Sequence, residues 1–242
     1  TKMISVIIPT LNEEKIIGKM LSQFSNELIE KYDLELILSD GGSTDLTVEI
    51  AKQKVHAALG QTSNRKETIA EGRNRGARHS SGDILFFFNA DVRVDNMEQY
   101  LRVMLETLQT PNVVAATCPV LVYHEEERIL DLIYHRMHNL HVWFFNLLGF
   151  GTGRGECHVV KRDAFFLLGG YDEELAAGED FDLYMRLARR GKIRFVWPLK
   201  VYESPRRYRR LGYLRVTLFW FLNALSIIFL RRSYSREWEP VR

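Results

Sequence analysis

The sequence is poor in cysteine and lacks the segments that mark secreted, fibrous or disordered chains. Its two cysteines, Cys118 and Cys157, are too few for a disulfide scaffold. Residues 1–9 show neither the apolar region nor the cleavage site of a signal peptide, so we expect a reducing, cytoplasmic setting. The chain has no internal repeat, and 46% hydrophobic with 26% charged residues excludes a disordered or collagen-like protein. A length of 242 residues fits one α/β domain.

The chain also lacks a marked excess of either charge, since its net charge is +2. This near-neutral balance argues against a general nucleic-acid binder. The charge is nevertheless unevenly distributed. Residues 205–242 hold nine arginines and two glutamates, a net +7, which leaves −5 on residues 1–204. A basic tail on an acidic body indicates a local anionic partner.

Short apolar stretches alternate with helical stretches along the chain. We predict strands over residues 4–8, 34–38, 55–59, 84–88 and 113–123. We predict helices over residues 12–31, 68–79, 96–109, 125–148 and 181–190, and a glycine-rich loop over 149–155. This alternation predicts an α/β fold with a mostly parallel central sheet flanked by helices.

Polar groups follow three of the predicted strands, at residues 10–13, 40–43 and 89–91. Parallel sheets bind ligands beyond the carboxyl ends of their strands, so we expect all three groups on one rim. Asp91 is suited to hold Mg²⁺ or Mn²⁺ beside a diphosphate, because these ions prefer oxygen ligands. A turn or a helix cap is the structural alternative for Asp91. Asp40 is either a turn aspartate or a hydrogen-bond acceptor for a nucleobase or ribose.

Two adjacent acids, Glu179 and Asp180, follow Gly178 at the start of a predicted helix. Negative charge is favourable in the first turn of a helix, which gives these residues a structural explanation. A carboxylate there is also suited to act as the general base that deprotonates an attacking hydroxyl. Spacing alone does not distinguish the two roles.

Seven segments together carry a family resemblance. They are residues 6–14 (VIIPTLNEE), 39–45 (SDGGSTD), 73–77 (RNRGA), 82–83 (GD), 88–91 (FNAD), 169–173 (GGYDE) and 178–180 (GED). In this order and at these intervals they resemble glycosyltransferase family 2. The resemblance covers roughly the first 200 residues. It implies the GT-A fold and an inverting transfer from a nucleotide-diphosphate sugar of the UDP or GDP type.

The resemblance also implies roles for individual residues. Asp180 would be the catalytic base, with Glu179 beside it, and Asp91 would hold the metal as the last acid of an Asp-x-Asp motif. The metal, Mg²⁺ or Mn²⁺, would stabilise the leaving diphosphate. The residues implied to bind the nucleotide sugar are Pro9, Thr10, Leu11, Glu13, Asp40, Gly41, Asn74, Asn89, Ala90 and Asp91.

The sequence departs from the family pattern at three points. Asn89 replaces the first Asp of Asp-x-Asp, so metal binding depends on Asp91, and Gly41 replaces the second Asp of an Asp-Asp-Gly-Ser turn. The Gln-x-x-Arg-Trp motif of processive synthases is absent, which favours transfer of a single sugar. The nearest basic and aromatic cluster includes Arg206, Arg207 and Tyr208, which we expect to contact either a diphosphate or anionic lipid.

The predicted C-terminal helix, residues 211–230, is apolar and carries one charge, Arg215. At 100° per residue, four polar or small residues fall in a stripe of roughly 80°: Gly212, Arg215, Asn223 and Ser226. Such a stripe, with arginines at both ends, favours a helix lying on an anionic membrane surface. A packed helix at a homodimer contact is the first alternative, and a membrane span is the second. We therefore predict a catalytic domain over residues 1–204 and a basic tail over 205–242.

Other candidate sites have simpler explanations. His135, His138 and His141 are spaced too widely around a helix for a compact metal cluster, and Cys157 is typical of a small buried side chain. The sequence thus predicts a peripheral enzyme at the inner face of the cell membrane, with a glycan or lipid-linked acceptor. The alternatives are a non-catalytic nucleotide-sugar-binding protein of the same fold and a nucleotidyltransferase.

Overall fold

The structure of the chain is a computed structural model that describes residues 3–62, 65 and 67–235. The strands are β1 (Ile4–Thr10), β2 (Leu34–Asp40), β3 (Ala57–Leu59), β4 (Ile84–Phe87), β5 (Arg93–Val94), β6 (Val113–Thr117), β7 (Val120–Val122), β8 (His158–Lys161), β9 (Lys192–Phe195) and β10 (Val201–Glu203). The helices are α1 (Ile17–Ser22), α2 (Asn26–Tyr32), α3 (Thr47–Lys52), α4 (Ile69–His79), α5 (Met97–Gln109), α6 (Ile129–Leu147), α7 (Arg162–Leu167), α8 (Glu179–Leu187), α9 (Arg206–Leu211) and α10 (Tyr213–Leu230).

Seven strands form the central sheet in the order β3-β2-β1-β4-β8-β6-β9. Strands β1 to β4 are parallel to one another, β8 is antiparallel to both β4 and β6, and β9 is parallel to β6. A second sheet of three strands, in the order β5-β10-β7, lies beside it. The prediction of a mostly parallel sheet flanked by helices is therefore confirmed.

Alternate residues of the central strands face opposite sides of the sheet, so there is a hydrophobic core on each face. Ile8 and Phe86 belong to one core, and Ile7 and Phe87 belong to the other. Helix α4 covers the second face closely. A Cβ added at Gly76 would lie 2.5 Å from Cγ2 of Ile7, so the packing of α4 on β1 requires glycine there.

Two predicted elements are each divided in the structure. The predicted helix over 12–31 is two helices, because the side chain of Ser25 accepts a hydrogen bond from Leu28 N and starts α2 afresh. The predicted strand over 113–123 is β6 and β7, which belong to different sheets. Pro119 lies between them and has no N–H to continue a ladder. The short elements β8, β9, β10 and α7 were not predicted, since they lack a long apolar or periodic pattern.

The C-terminal helices pack on the body of the protein. Gly212, with φ of 80°, separates α9 from α10, so the predicted helix over 211–230 begins at Tyr213. On α10, Asn223 and Ser226 are buried, whereas Leu214 is 84% exposed. Asn223 and Ser226 of the polar stripe therefore face the protein, whereas Arg215 of the same stripe is exposed. Residues 236–242 of the predicted tail lie outside the described residues.

Candidate active site

A cleft of about 440 Å³ opens at the carboxyl ends of β1 and β4. All three predicted rim groups reach it, because parallel neighbours end at the same edge of the sheet. Eight of the residues implied to bind a nucleotide sugar line this cleft: Pro9, Thr10, Leu11, Glu13, Gly41, Asn89, Ala90 and Asp91. Arg206, Arg207 and Tyr208 of α9 line the opposite wall, together with Trp220 of α10.

Asp91 and Glu13 share one cation in this structure, the guanidinium of Arg206. Arg206 donates to both carboxylate oxygens of Glu13, at 2.9 and 3.1 Å, and its Nη2 lies 3.4 Å from Oδ2 of Asp91. Burial raises the pKa of Asp91 to about 6, and the positive charge of Arg206 opposes that increase. Arg206 therefore occupies the position at which a cation neutralises the two acids.

The donor set around Asp91 fits a hard divalent ion that keeps water or phosphate oxygens as further ligands. In the ranges 3–62, 65 and 67–235, no group of three His, Cys, Asp or Glu side chains is arranged to hold a metal. Mg²⁺ commonly binds through one or two carboxylates plus substrate phosphates, so Asp91 with Glu13 nearby meets that requirement. Asn89, which the sequence does not predict to hold the metal, accepts a hydrogen bond from Nη2 of Arg73 through its Oδ1, at 3.1 Å.

Two residues implied to bind the nucleotide have other partners. Both carboxylate oxygens of Asp40 accept hydrogen bonds, from the hydroxyls of Thr10 and Ser43 and from the N–H groups of Gly42 and Ser43. Asp40 thus organises the turn after β2. The amide of Asn74 donates to Tyr171 O at 2.8 Å and accepts from Tyr171 N at 2.9 Å. Asn74 lies outside the cleft and joins α4 to the chain before α8, so its expected role in nucleotide binding stays a prediction.

The adjacent acids Glu179 and Asp180 occupy the first turn of α8, next to the cleft wall. Glu179 is buried and accepts a hydrogen bond at 2.8 Å from Nη1 of Arg73, which is itself fully buried. Asp180 is partly exposed, and its Oδ2 accepts from Gly155 N at 3.1 Å. Gly155 precedes Glu156, which lines the cleft. Neither Glu179 nor Asp180 itself lines the cleft surface.

Burial controls the protonation of this acidic pair. It raises the pKa of Glu179 to about 7, and the neighbouring charge of Asp180 adds to the increase, while Arg73 opposes it. Burial also raises the pKa of Asp180, again opposed by Arg73. Titratable groups with raised pKa values beside a cleft are candidates for proton transfer near neutral pH.

Arg73 connects the two halves of the site. One of its nitrogens donates to Glu179, and the other donates to Asn89 and to the carbonyl of Gly155, at 2.9 Å. Arg73 lies in segment 73–77, which carries part of the family resemblance. Nothing in the sequence pattern shows that its side chain connects the loop after β4 to helix α8. A buried cation that contacts both groups holds them at a constant separation.

A second buried cluster supports the wall formed by α9. Arg154 forms an ion pair with Glu203, and Tyr208 donates to Glu203 Oε1 at 3.0 Å. His135 of α6 contacts Arg154 Nη1 through Nδ1, at 3.1 Å. Burial lowers the pKa of His135 to about 3, so this histidine is neutral. Sequence reasoning gave no role to Arg154, Glu156 or Glu203, because each stands alone between unrelated short elements.

Comparison with known proteins identifies the family of the chain. The model of the family described as Glycosyl transferase family 2 matches residues 5–166. A curated relative from Methanococcus voltae, a dolichyl N-acetyl-alpha-D-glucosaminyl phosphate 3-beta-D-2,3-diacetamido-2,3-dideoxy-beta-D-glucuronosyltransferase, is 27% identical over 84% of this chain and 64% of its own. The dolichyl-phosphate beta-glucosyltransferase of Mus musculus is 28% identical over 68% of this chain and 56% of its own. The chain thus spans about three fifths of the length of these two relatives.

Solved structures show the same fold at lower identity. The mannosyltransferase PcManGT from Pyrobaculum calidifontis, in complex with GDP-Man and Mn²⁺, superposes with a TM-score of 0.67 at 21% identity, over 84% of this chain and 57% of that one. TarS of S. aureus, in complex with UDP-GlcNAc, superposes with a TM-score of 0.63 at 16% identity, over 95% and 74%. These likenesses establish the GT-A fold. The family match over residues 5–166, on the segments that form the cleft, shows that the chain belongs to glycosyl transferase family 2.

Proposed function

We propose that this chain transfers one sugar, with inversion, from a nucleotide-diphosphate sugar to an acceptor. The observation that carries the proposal is the link from Asn89, beside Asp91, to Glu179, the neighbour of Asp180, through the buried guanidinium of Arg73. A candidate metal ligand that lines the cleft and a candidate base beside it are thereby linked through one side chain, which supports the proposal. The glycosyltransferase names of the relatives support the same activity.

The donor would lie along the rim formed by residues 9–13 and 89–91. Asp91 would hold Mg²⁺ or Mn²⁺, and the ion would stabilise the charge that develops on the leaving diphosphate. Arg206 and Arg207 face the same space, so their guanidinium groups would bind diphosphate oxygens. The structures of PcManGT with GDP-Man and TarS with UDP-GlcNAc support a UDP or GDP donor.

Asp180 would be the base, and Glu179 would position it. Glu179 is held by Arg73, whereas Asp180 is partly exposed and its two oxygens accept from backbone N–H groups, Gly155 N at 3.1 Å and Phe181 N at 2.8 Å. An acceptor hydroxyl would lose its proton to Asp180 as its oxygen bonds to the anomeric carbon. The bond from that carbon to the diphosphate would break on the opposite face, which inverts the configuration. An acceptor phosphate is already anionic and would need no base.

We propose a lipid-linked acceptor, reached at a membrane surface. The dolichyl names of two relatives support a lipid phosphate, with a glycan hydroxyl as the alternative. Helix α10 contributes Trp220 to the cleft and turns apolar side chains outward, so an apolar substrate could approach along it. This predicts a peripheral protein at the inner face of the cell membrane. A homodimer through α10 and a membrane span stay the alternatives for that helix, since Tyr213–Leu230 is long and apolar enough to cross a bilayer.

Binding and transfer are tested separately. Thermal-shift measurements with UDP-, GDP- and dTDP-sugars, with and without Mn²⁺, should give a metal-dependent increase in Tm with at least one donor. Asp91→Asn should abolish the metal-dependent part. Asp180→Asn should keep donor binding and lose transfer to a hydroxyl acceptor, while Asp172→Asn, at a partly exposed acid outside the cleft, should keep both. Donor binding without transfer to any acceptor would indicate a non-catalytic protein instead.

A further inference from the structure

Helix α6 presents an apolar face to the outside of the protein. Its side toward the core contains Asp131, His135, Asn139 and Val142, which are buried. The opposite side carries six exposed apolar side chains: Leu130, Ile133, Met137, Leu140, Phe144 and Leu147. Within the part of the chain that the structure describes, these apolar side chains are exposed opposite the core, so they indicate an interaction surface.

Helix α10 extends this surface, because it lies beside α6. The hydroxyls of Tyr134 and Thr217 are 2.9 Å apart, and the rings of Tyr134 and Tyr213 are 4.3 Å apart. Further along, the rings of His138 and Trp220 are 5.5 Å apart. The outward side of α10 carries exposed apolar residues of its own: Leu214, Leu218, Phe221 and Phe229. We call these ten outward side chains of α6 and α10 the two-helix face.

The exposed charges within these two helices are arginines, whereas Glu125 and Glu126 are exposed just before α6. Asp131 is the one acid in the sequence of the two helices, and it is buried in an ion pair with Arg209. Arg136 and Arg215 are exposed on the helices themselves, and Arg231 and Arg232 are exposed just after α10. Apolar residues bordered by positive charge complement an anionic lipid surface.

A second copy of the chain fits this face less well. The six outward residues of α6 alternate at spacings of three and four, as in a coiled-coil seam. However, Ile129 and Leu148 are exposed beside that seam and make it wider than a two-helix contact requires. The flanking positions include Arg136 but no acid that would pair with it across a symmetric dimer.

We propose that the two-helix face, of which α6 is the larger part, binds the surface of an anionic lipid bilayer. Both helices then lie in the membrane interface with their core sides toward the protein. Trp220 belongs to α10 and lines the cleft, so the cleft opens beside the bilayer surface. A lipid-linked phosphate would then enter the cleft from the membrane side, and this last point rests on the proposed function.

A single charge introduced on α6 tests whether the two-helix face binds the bilayer. We expect the full chain to bind phosphatidylcholine vesicles that contain phosphatidylglycerol, and to bind less as salt screens the arginines. Met137→Glu should weaken that binding about tenfold, because a charge replaces an apolar group in the interface. Leu167→Glu is the matched control at α7, since Leu167 is 68% exposed and Met137 is 62% exposed. Equal binding by wild type and Met137→Glu would overturn the proposal.

An environment-sensitive dye gives a second measurement that does not require loss of binding. Both native thiols are buried, so a dye attached at Met137→Cys reports on α6 and one at Leu167→Cys on the control. Vesicles should shift the emission of the first to shorter wavelength and leave the second unchanged. A concentration-dependent dimer that Met137→Glu dissociates, with no shift on vesicles, would assign the face to a second copy. Donor-induced thermal shifts should be the same in Met137→Glu and wild type, so their absence in both would refute the proposed function alone.

Discussion

We predict that Arg206 competes with a metal ion for Asp91 and Glu13, and this competition can be measured. In Arg206→Gln the cleft loses the guanidinium that donates to Glu13 at 2.9 and 3.1 Å and lies 3.4 Å from Asp91. Hydrogen bonds between charged groups contribute about 1.5–3 kcal/mol each when shielded from water. The Arg206 side chain is 30% exposed, so we reduce this to about 1–2 kcal/mol for the whole contact.

This magnitude sets opposite expectations for the metal alone and for the metal with nucleotide. Without nucleotide, Mn²⁺ no longer has to displace Arg206, so its affinity for Arg206→Gln should rise roughly tenfold, which corresponds to about 1.4 kcal/mol. With a nucleoside diphosphate present, binding should weaken, because Arg206 no longer contacts the diphosphate. The two affinities are measured by isothermal titration calorimetry with Mn²⁺ and with the Mn²⁺–nucleotide complex.

Arg209→Gln is the matched control for this experiment. Arg209 also forms a two-nitrogen pair with a carboxylate, Asp131, but the pair lies on α6 and α9 outside the cleft. We expect a comparable loss of stability and an unchanged Mn²⁺ affinity. An unchanged or weaker affinity of Arg206→Gln for Mn²⁺ alone would refute the idea that Arg206 occupies the cation position.

Three further predictions concern the buried parts of the site. Arg73→Gln leaves the buried carboxylate of Glu179 unpaired, so it should lower the free energy of unfolding by about 3–5 kcal/mol. Urea denaturation measures this loss, and a loss under about 1 kcal/mol would contradict the bridging role of Arg73. Burial raises the pKa of Glu179 from 4.5 to about 7. The stability that Glu179 contributes is therefore fully present below pH 4.5 and is lost as the pH rises through 7. Glu179→Gln should flatten the pH dependence of the urea denaturation midpoint between these two pH values. Gly76→Ala places a Cβ 2.5 Å from Ile7 Cγ2 and should destabilise the protein by about 1–3 kcal/mol, whereas Gly60→Ala, with open space around it, should have little effect.

Helix α10 shows why a periodic pattern does not determine orientation. The spacing of Gly212, Arg215, Asn223 and Ser226 defines which residues share one side of the helix, and the structure keeps Asn223 and Ser226 on one side. The direction of that side depends on what packs against it. Asn223 Oδ1 accepts from Tyr234 N and Ser235 N, so its polar group is used inside the protein, and the apolar side is left outside.

The sequence by itself determined the parallel sheet and the position of the cleft. Both depend on short-range signals: buried β-branched strands, and polar residues at their carboxyl ends, which a parallel arrangement brings to one edge. Only the tertiary structure decided that Arg73 bridges Asn89 to Glu179, that Arg206 pairs with Glu13 across 193 positions, and that α6 turns an apolar face outward. Those contacts join residues far apart in the chain, and no local propensity encodes which distant side chains meet once the layers pack.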